Sequence, residues 1–113
     1  MSSHRFHRPF TSAHALLSVL LLSAGMAHAQ SKSEALNQRA TAAMCANCHG
    51  TDGRTIEGSA IPSLVGMPKD YMVLQMKAFK DGSRPATVMH QITKGLTDAQ
   101  VNSIATYYAS LKR

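Results

Sequence analysis

The chain has 113 residues and no Trp, and it carries 12 Lys and Arg against 6 Asp and Glu, a formal net charge of +6. This length allows one small domain and excludes a multidomain protein. The basic residues are not interleaved with an aromatic platform, so the sequence also excludes a nucleic-acid-binding protein.

The first 29 residues predict a secretory signal peptide. Two arginines without any acid come first, a mostly apolar run follows at 15–27, and small residues stand before the predicted cleavage point behind Ala29. An uncleaved membrane anchor is the alternative, but the apolar run is short for a membrane span. We therefore expect a signal peptide at 1–29 and an exported, periplasmic domain at 30–113 that does not span the membrane.

The segments after the signal peptide predict an all-α domain of three to five helices. Ser33 can cap a first helix over 34–44, which is rich in alanine. Residues 50–67 contain four glycines and a proline and predict a long loop. Pro68 then opens a second helix, which Gly82 ends. Four residues at helical spacing predict the apolar face of that helix: Tyr71, Leu74, Ala78 and Phe79.

Two further helices complete the chain. Pro85 starts a short third helix that Gly95 closes. Thr97 and Gln100 then have the spacing of a capping box, which predicts the start of the last helix. The apolar residues of that helix recur every three or four positions: Val101, Ile104, Ala105, Tyr108 and Leu111.

The exported domain has little material for a hydrophobic core. Its aromatic residues are four in number and include no Trp. A domain of this size is marginally stable unless a disulfide, a metal or a cofactor adds to its core. The two cysteines are the residues that could form a disulfide or bind a metal or cofactor.

Cys45 and Cys48 stand two residues apart and His49 follows at once, which gives four alternatives. A disulfide suits an exported protein, but so short a loop contributes little stability. A thioredoxin-like redox pair needs a βαβ unit, and the chain shows no strands. A zinc site would need both cysteines and two histidines at an unusual spacing. Covalent haem c is the fourth, because C-x-x-C-H is its attachment signature: each sulfur adds to one haem vinyl group and the histidine reaches the iron.

With this motif, the sequence resembles the small single-haem class I c-type cytochromes of bacteria. The matching pieces are "CHGTDG", "IPSLVGMPKDYMVLQMKAFKDGSR", "PATVMHQI" and "LTDAQVNSIATYYASL". Within that class the run "AFKDGSRPATVMHQITKGLTDAQ" is most similar to the cytochrome subunit of flavocytochrome c sulfide dehydrogenase. The resemblance implies a class I cytochrome c fold around one covalently bound haem c per chain.

The resemblance also implies the iron ligands. His49 binds one side of the iron, and Met89, which follows "SRPATV", binds the other. Met67 and His90 remain alternatives to Met89. The resemblance further implies that the carbonyl of Pro62 accepts a hydrogen bond from the imidazole of His49, although a proline that merely stiffens the loop is the simpler reading.

A cytochrome of this class carries one electron at a time between redox proteins and has no substrate of its own. The likeness implies a flavoprotein sulfide dehydrogenase as the electron donor. A free periplasmic shuttle that passes electrons to a terminal oxidase or another acceptor is one alternative, and a haem that binds a small ligand in place of Met89 is another. Five basic residues could steer an acidic partner or simply be solvated: Lys69, Lys77, Lys80, Arg84 and Lys94.

Overall fold

A computed structural model describes residues 29–113 of the chain. The chain divides into two compact units, 1–33 and 34–113, and the second of these carries the fold. The predicted signal peptide lies outside the described residues except for Ala29, so both the peptide and its cleavage point stay predictions. In the part of the chain that is described, no helix is long and apolar enough to cross a bilayer.

The first helix begins earlier than predicted. Residues 29–42 are helical, and we call the part that belongs to the second unit, 34–42, helix α1. Ser33 therefore lies inside the helix, and its predicted role as the N-cap is wrong. The residues before it, which include Ala29, Gln30 and Lys32, are good helix formers, so the helix does not need to start at the serine.

The Cys-x-x-Cys-His segment folds into short helical pieces. A 3₁₀ turn, Ala43–Cys45, leads into helix α2, Ala46–His49. A second 3₁₀ turn, Thr51–Gly53, follows. From there to Pro68 the chain forms turns but no regular helix, as the glycines predicted.

Helix α3, Lys69–Asp81, begins just after Pro68 and ends at Gly82, whose φ of 85° is the left-handed conformation that favours glycine. Its predicted apolar face is not the side that packs into the hydrophobic core. The buried residues of the helix are Met72 and Met76, on another side. Tyr71 and Leu74 instead expose 49% and 61% of their surface. The helix has two apolar sides, and the methionine side is the one that packs into the protein core.

Helix α4, Met89–Lys94, begins four residues later than predicted, because Pro85 lies in the irregular segment before it. Its end at Gly95 is as expected. Helix α5, Asp98–Ser110, starts with the predicted capping box, in which the side chains of Thr97 and Gln100 bond each other's backbone N–H groups. The predicted all-α class is confirmed, since residues 29–113 contain helices and no strand.

Helix α5 forms the centre of the core. The predicted face of α5 is confirmed and packs with Ala42, Leu96 and the two buried methionines of α3. Tyr108 is 1% exposed, and its hydroxyl donates a 2.9 Å hydrogen bond to the carbonyl of Ala42, at the end of α1. Burial raises the pKa of Tyr108, so it stays a neutral donor. The start of the cysteine motif is thus fixed to the last helix.

We expect Tyr108→Phe to lower the free energy of unfolding by about 1–3 kcal/mol, because the Ala42 carbonyl loses its buried donor. Tyr107→Phe is the matched control on the same helix. Its hydroxyl donates to Asp52 Oδ1 at 2.6 Å, but the pair is only partly buried, so this loss should stay below about 1 kcal/mol. Denaturant unfolding of both variants measures the difference, and equal losses would contradict a special role for Tyr108.

Candidate functional site

One helical turn carries the three residues of the motif. Cys45 precedes the first residue of α2, and Cys48 and His49 lie within that helix. Both cysteines are free thiols, so the disulfide alternative finds no support in this geometry. Cys48 is exposed and Cys45 is half-buried. Burial raises the pKa of the Cys45 thiol, which keeps it protonated at neutral pH.

His49 is buried to 8% exposure, and one of its ring nitrogens has a defined partner. Nδ1 lies 2.7 Å from the carbonyl oxygen of Pro62. A carbonyl can only accept, so Nδ1 carries the proton, and in the neutral imidazole Nε2 then presents its lone pair. This is the tautomer that a histidine needs to bind a metal through Nε2, and it is the contact that the resemblance implied for Pro62.

The turn after His49 brings Pro62 to the imidazole. Gly50 has a φ of 78°, and the N–H of Gly53 donates to its carbonyl at 2.8 Å. The carbonyl of Gly53 in turn accepts from the Ser63 hydroxyl at 2.7 Å and from the Leu64 N–H at 2.8 Å. These bonds fix the chain on the carboxyl side of Pro62 against the turn, so the loop returns beside His49.

Sequence analysis interpreted Gly50 and Gly53 only as residues that break helices in a loop. It missed that both form the turn beside His49. A β-carbon at Gly53 would lie 2.8 Å from the ring of Tyr108, which shows how closely the turn packs on α5. The available signal was the spacing of the two glycines: Gly50 directly follows His49, and Gly53 stands three residues after Gly50.

Met89 is the first residue of α4, on a separate element from the cysteine motif, and it is half-buried. Met67, the alternative, packs against the hydrophobic core. The side chain of Met67 is therefore engaged in packing, whereas Met89 is not among the residues packed on that core. The assignment of the ligand to Met89 rests on the resemblance and stays a prediction.

His90 lines a groove of about 270 Å³ together with Phe79, Arg84 and Lys94. Its Nδ1 is buried and has no hydrogen-bond partner among the described residues. No three His, Cys, Asp or Glu side chains within residues 29–113 gather into a possible metal site. A zinc site built from both cysteines, His49 and His90 therefore has no support.

The basic residues expected to steer a partner differ in their contacts. Lys80 Nζ donates to the Leu96 carbonyl at 2.6 Å and lies 3.9 Å from Asp98. Arg84 stacks on the ring of Phe79 at 4.4 Å and bonds Gln75. The remaining three side chains are exposed: Lys69, Lys77 and Lys94.

Large apolar side chains are exposed on the segments that carry the candidate ligands. Ile56, which is 84% exposed, and Ile61 belong to the loop after His49, and Val88 directly precedes Met89. Leu74 and Tyr71 form the second apolar side of α3. Two free thiols, a buried imidazole bonded through Nδ1, and exposed apolar side chains on the neighbouring segments fit a covalently bound haem.

Comparison with known proteins gives a family for this arrangement. The family model described as cytochrome c matches residues 35–112, which is most of the chain and includes the cysteine motif, the loop and all the helices from α2 to α5.

Three curated relatives are informative. The chain is 42% identical over 71 residues to a "Thiosulfate dehydrogenase electron acceptor" of Thiomonas intermedia, covering 63% of this chain and 33% of that protein. It is 42% identical over 69 residues to a "Cytochrome subunit of sulfide dehydrogenase" of Chlorobaculum tepidum, covering 61% of each. It is 38% identical over 88 residues to a "Cytochrome c4" of Pseudomonas aeruginosa, covering 78% of this chain and 42% of that protein. The chain thus spans between a third and three fifths of these relatives.

Proposed function

The chain belongs to the cytochrome c family, and we propose that it is an exported, single-haem electron carrier that accepts electrons from a dehydrogenase acting on a reduced sulfur compound. The family binds haem c covalently, which is the cofactor that the motif predicted. When bound, haem of this kind would supply one-electron chemistry at its iron. The class I cytochrome c fold is the all-α fold described above.

The proposed roles follow from the motif and its surroundings. Cys45 and Cys48 would hold the haem through thioether bonds, and Nε2 of His49 would bind the iron. Met89 would supply the second protein ligand. The observation that carries this proposal is the 2.7 Å bond between His49 Nδ1 and the Pro62 carbonyl, because it fixes the imidazole in the tautomer and orientation that a metal ligand requires.

The chain itself is proposed to turn over no substrate. His49, the buried histidine of the site, donates through Nδ1 to the Pro62 carbonyl, and its Nε2 would bind the iron. The exposed apolar residues of the loop and of α3 would pack against the cofactor when it is bound. The proposed role of the protein is therefore to bind the haem and to expose it to other redox proteins.

The names of the relatives support the class of partner. One is named as an electron acceptor of thiosulfate dehydrogenase and another as a subunit of sulfide dehydrogenase, at the same identity to this chain. We propose that this chain is the electron-accepting haem subunit of a flavoprotein sulfide dehydrogenase. A free periplasmic shuttle to a terminal oxidase or another acceptor is the alternative.

Purification from the native periplasm under mild conditions tests this function. A covalent haem spectrum that co-elutes with a flavin spectrum and a second, larger chain is the result expected for the subunit. Sulfide should then reduce the haem in the complex, whereas thiosulfate should not. A haem protein that elutes alone at monomer size would point to the free shuttle. Rapid carbon monoxide binding by the reduced protein would contradict electron transfer with a fixed Met89 and favour a ligand binder.

A further inference from the structure

Thr93 is a fully buried polar residue that the proposed function does not explain. It has no exposed surface and is one of the largest side chains that are completely buried. Its hydroxyl donates a 2.8 Å hydrogen bond to the backbone carbonyl of Met89, one helical turn earlier, and lies 3.4 Å from the carbonyl of His90. A buried hydroxyl is costly unless it has a partner, and here the better partner is the backbone of the proposed iron ligand.

Helix α4 needs an anchor at the end that carries Met89. It has only six residues, and an isolated helix of that length is not stable. Val88, which precedes it, provides no side-chain cap. The Val88 carbonyl accepts from the N–H groups of Gln91 at 2.9 Å and Ile92 at 3.2 Å, so apart from the Thr93 hydroxyl the start of α4 is held by backbone bonds.

The other end of α4 is fixed several times. The N–H of Gly95 donates to the Ile92 carbonyl at 3.2 Å, and the N–H of Leu96 donates to the Thr93 carbonyl at 3.2 Å. Lys80 of α3 holds the carbonyl of Leu96 at 2.6 Å. The carbonyl of Thr93 takes part in these bonds at the carboxyl end of α4. Its hydroxyl donates to the Met89 carbonyl at the amino end.

We propose that Thr93 is a positioning residue that holds Met89 at the iron by anchoring the backbone of the ligand. The inference rests on the proposed role of Met89. Each time the thioether dissociates, the hydroxyl of Thr93 keeps the first turn of α4 in place, so that the sulfur stays close and returns. Loss of the hydroxyl loosens that turn, and competing ligands reach the iron more often.

Two substitutions separate positioning from packing. Thr93→Val keeps the shape and removes the hydroxyl, whereas Thr93→Ser keeps the hydroxyl and removes the methyl group. For positioning, we expect the valine variant to bind imidazole at the ferric iron about 3- to 10-fold faster than wild type, the size that one buried hydrogen bond supports. Its thioether–iron charge-transfer band should also weaken. The serine variant should bind imidazole at the wild-type rate while it loses stability from the small cavity.

The opposite pattern overturns the proposal. If Thr93→Ser changes the band and the imidazole rate while Thr93→Val leaves both unchanged, Thr93 acts only by packing. Met89→Ala, measured in parallel, separates this failure from a failure of the ligand assignment. A band that survives in Met89→Ala shows that Met89 is not the ligand, whereas a band lost in Met89→Ala but unaffected in Thr93→Val refutes the positioning role alone.

Discussion

Met89→Ala should leave the haem attached through Cys45 and Cys48 but remove the ligand opposite His49. We expect the thioether–iron charge-transfer band to disappear completely and the reduced protein to bind carbon monoxide nearly stoichiometrically, whereas wild type should resist it. The midpoint potential should fall, because a thioether ligand stabilises the reduced iron. Absorption spectra of the oxidised protein and of the reduced protein under carbon monoxide measure these changes.

Met67→Ala is the matched control, because Met67 is the other methionine considered as a ligand. It packs against the core, so its replacement should lower stability and leave the charge-transfer band unchanged. If instead the band survives in Met89→Ala and vanishes in Met67→Ala, the ligand is Met67. If it survives in both variants, a different methionine is the ligand, whereas a wild-type protein that lacks the band makes His90 the candidate.

The local signals in the sequence predicted the helix ends well. Gly82 and Gly95 end α3 and α4, and the capping box at Thr97 opens α5, because each of these effects depends on a few neighbouring residues. The start of α4 was predicted too early at Pro85. A proline is compatible with a first turn but does not create one, and packing against α3 decides where this short helix begins.

The buried face of α3 was not predictable from spacing alone. A helix with two apolar sides satisfies the same periodicity whichever side meets the protein core. The side with Met72 and Met76 does so here, and Leu74 lies on the exposed side. We attribute this second apolar side to the proposed haem, which adds an apolar surface that the sequence does not contain.

The motif residues were predictable because their chemistry requires a fixed spacing, and the Pro62 contact was expected from the resemblance, but the other supports were not predictable. The bond from Tyr108 to Ala42 joins residues far apart in the chain, and no local pattern announces it. Thr93 is close to Met89 in sequence, but its burial decides whether the hydroxyl matters. The sequence therefore predicts the proposed haem-binding residues better than it predicts the residues that position them.

Gly50→Ala should be among the most damaging small substitutions in the chain. Gly50 directly follows His49 and has φ 78° and ψ 163°, a conformation that is essentially restricted to glycine. A β-carbon there would also overlap the carbonyl of Arg54, which is backbone and cannot rotate away. We expect a loss of more than about 3 kcal/mol of unfolding free energy, from backbone strain plus this overlap.

Gly58→Ala and Gly82→Ala separate the two causes. Both glycines have positive φ values, 78° and 85°, but a β-carbon at either would meet nothing within 4 Å. These variants should lose only about 1–2 kcal/mol, the cost of the left-handed conformation for alanine. Denaturant unfolding of the haem proteins and the yield of covalently attached haem test the comparison. If Gly50→Ala matures and unfolds like the two controls, the turn after His49 adapts to a side chain, and the position of Pro62 beside the imidazole does not depend on it.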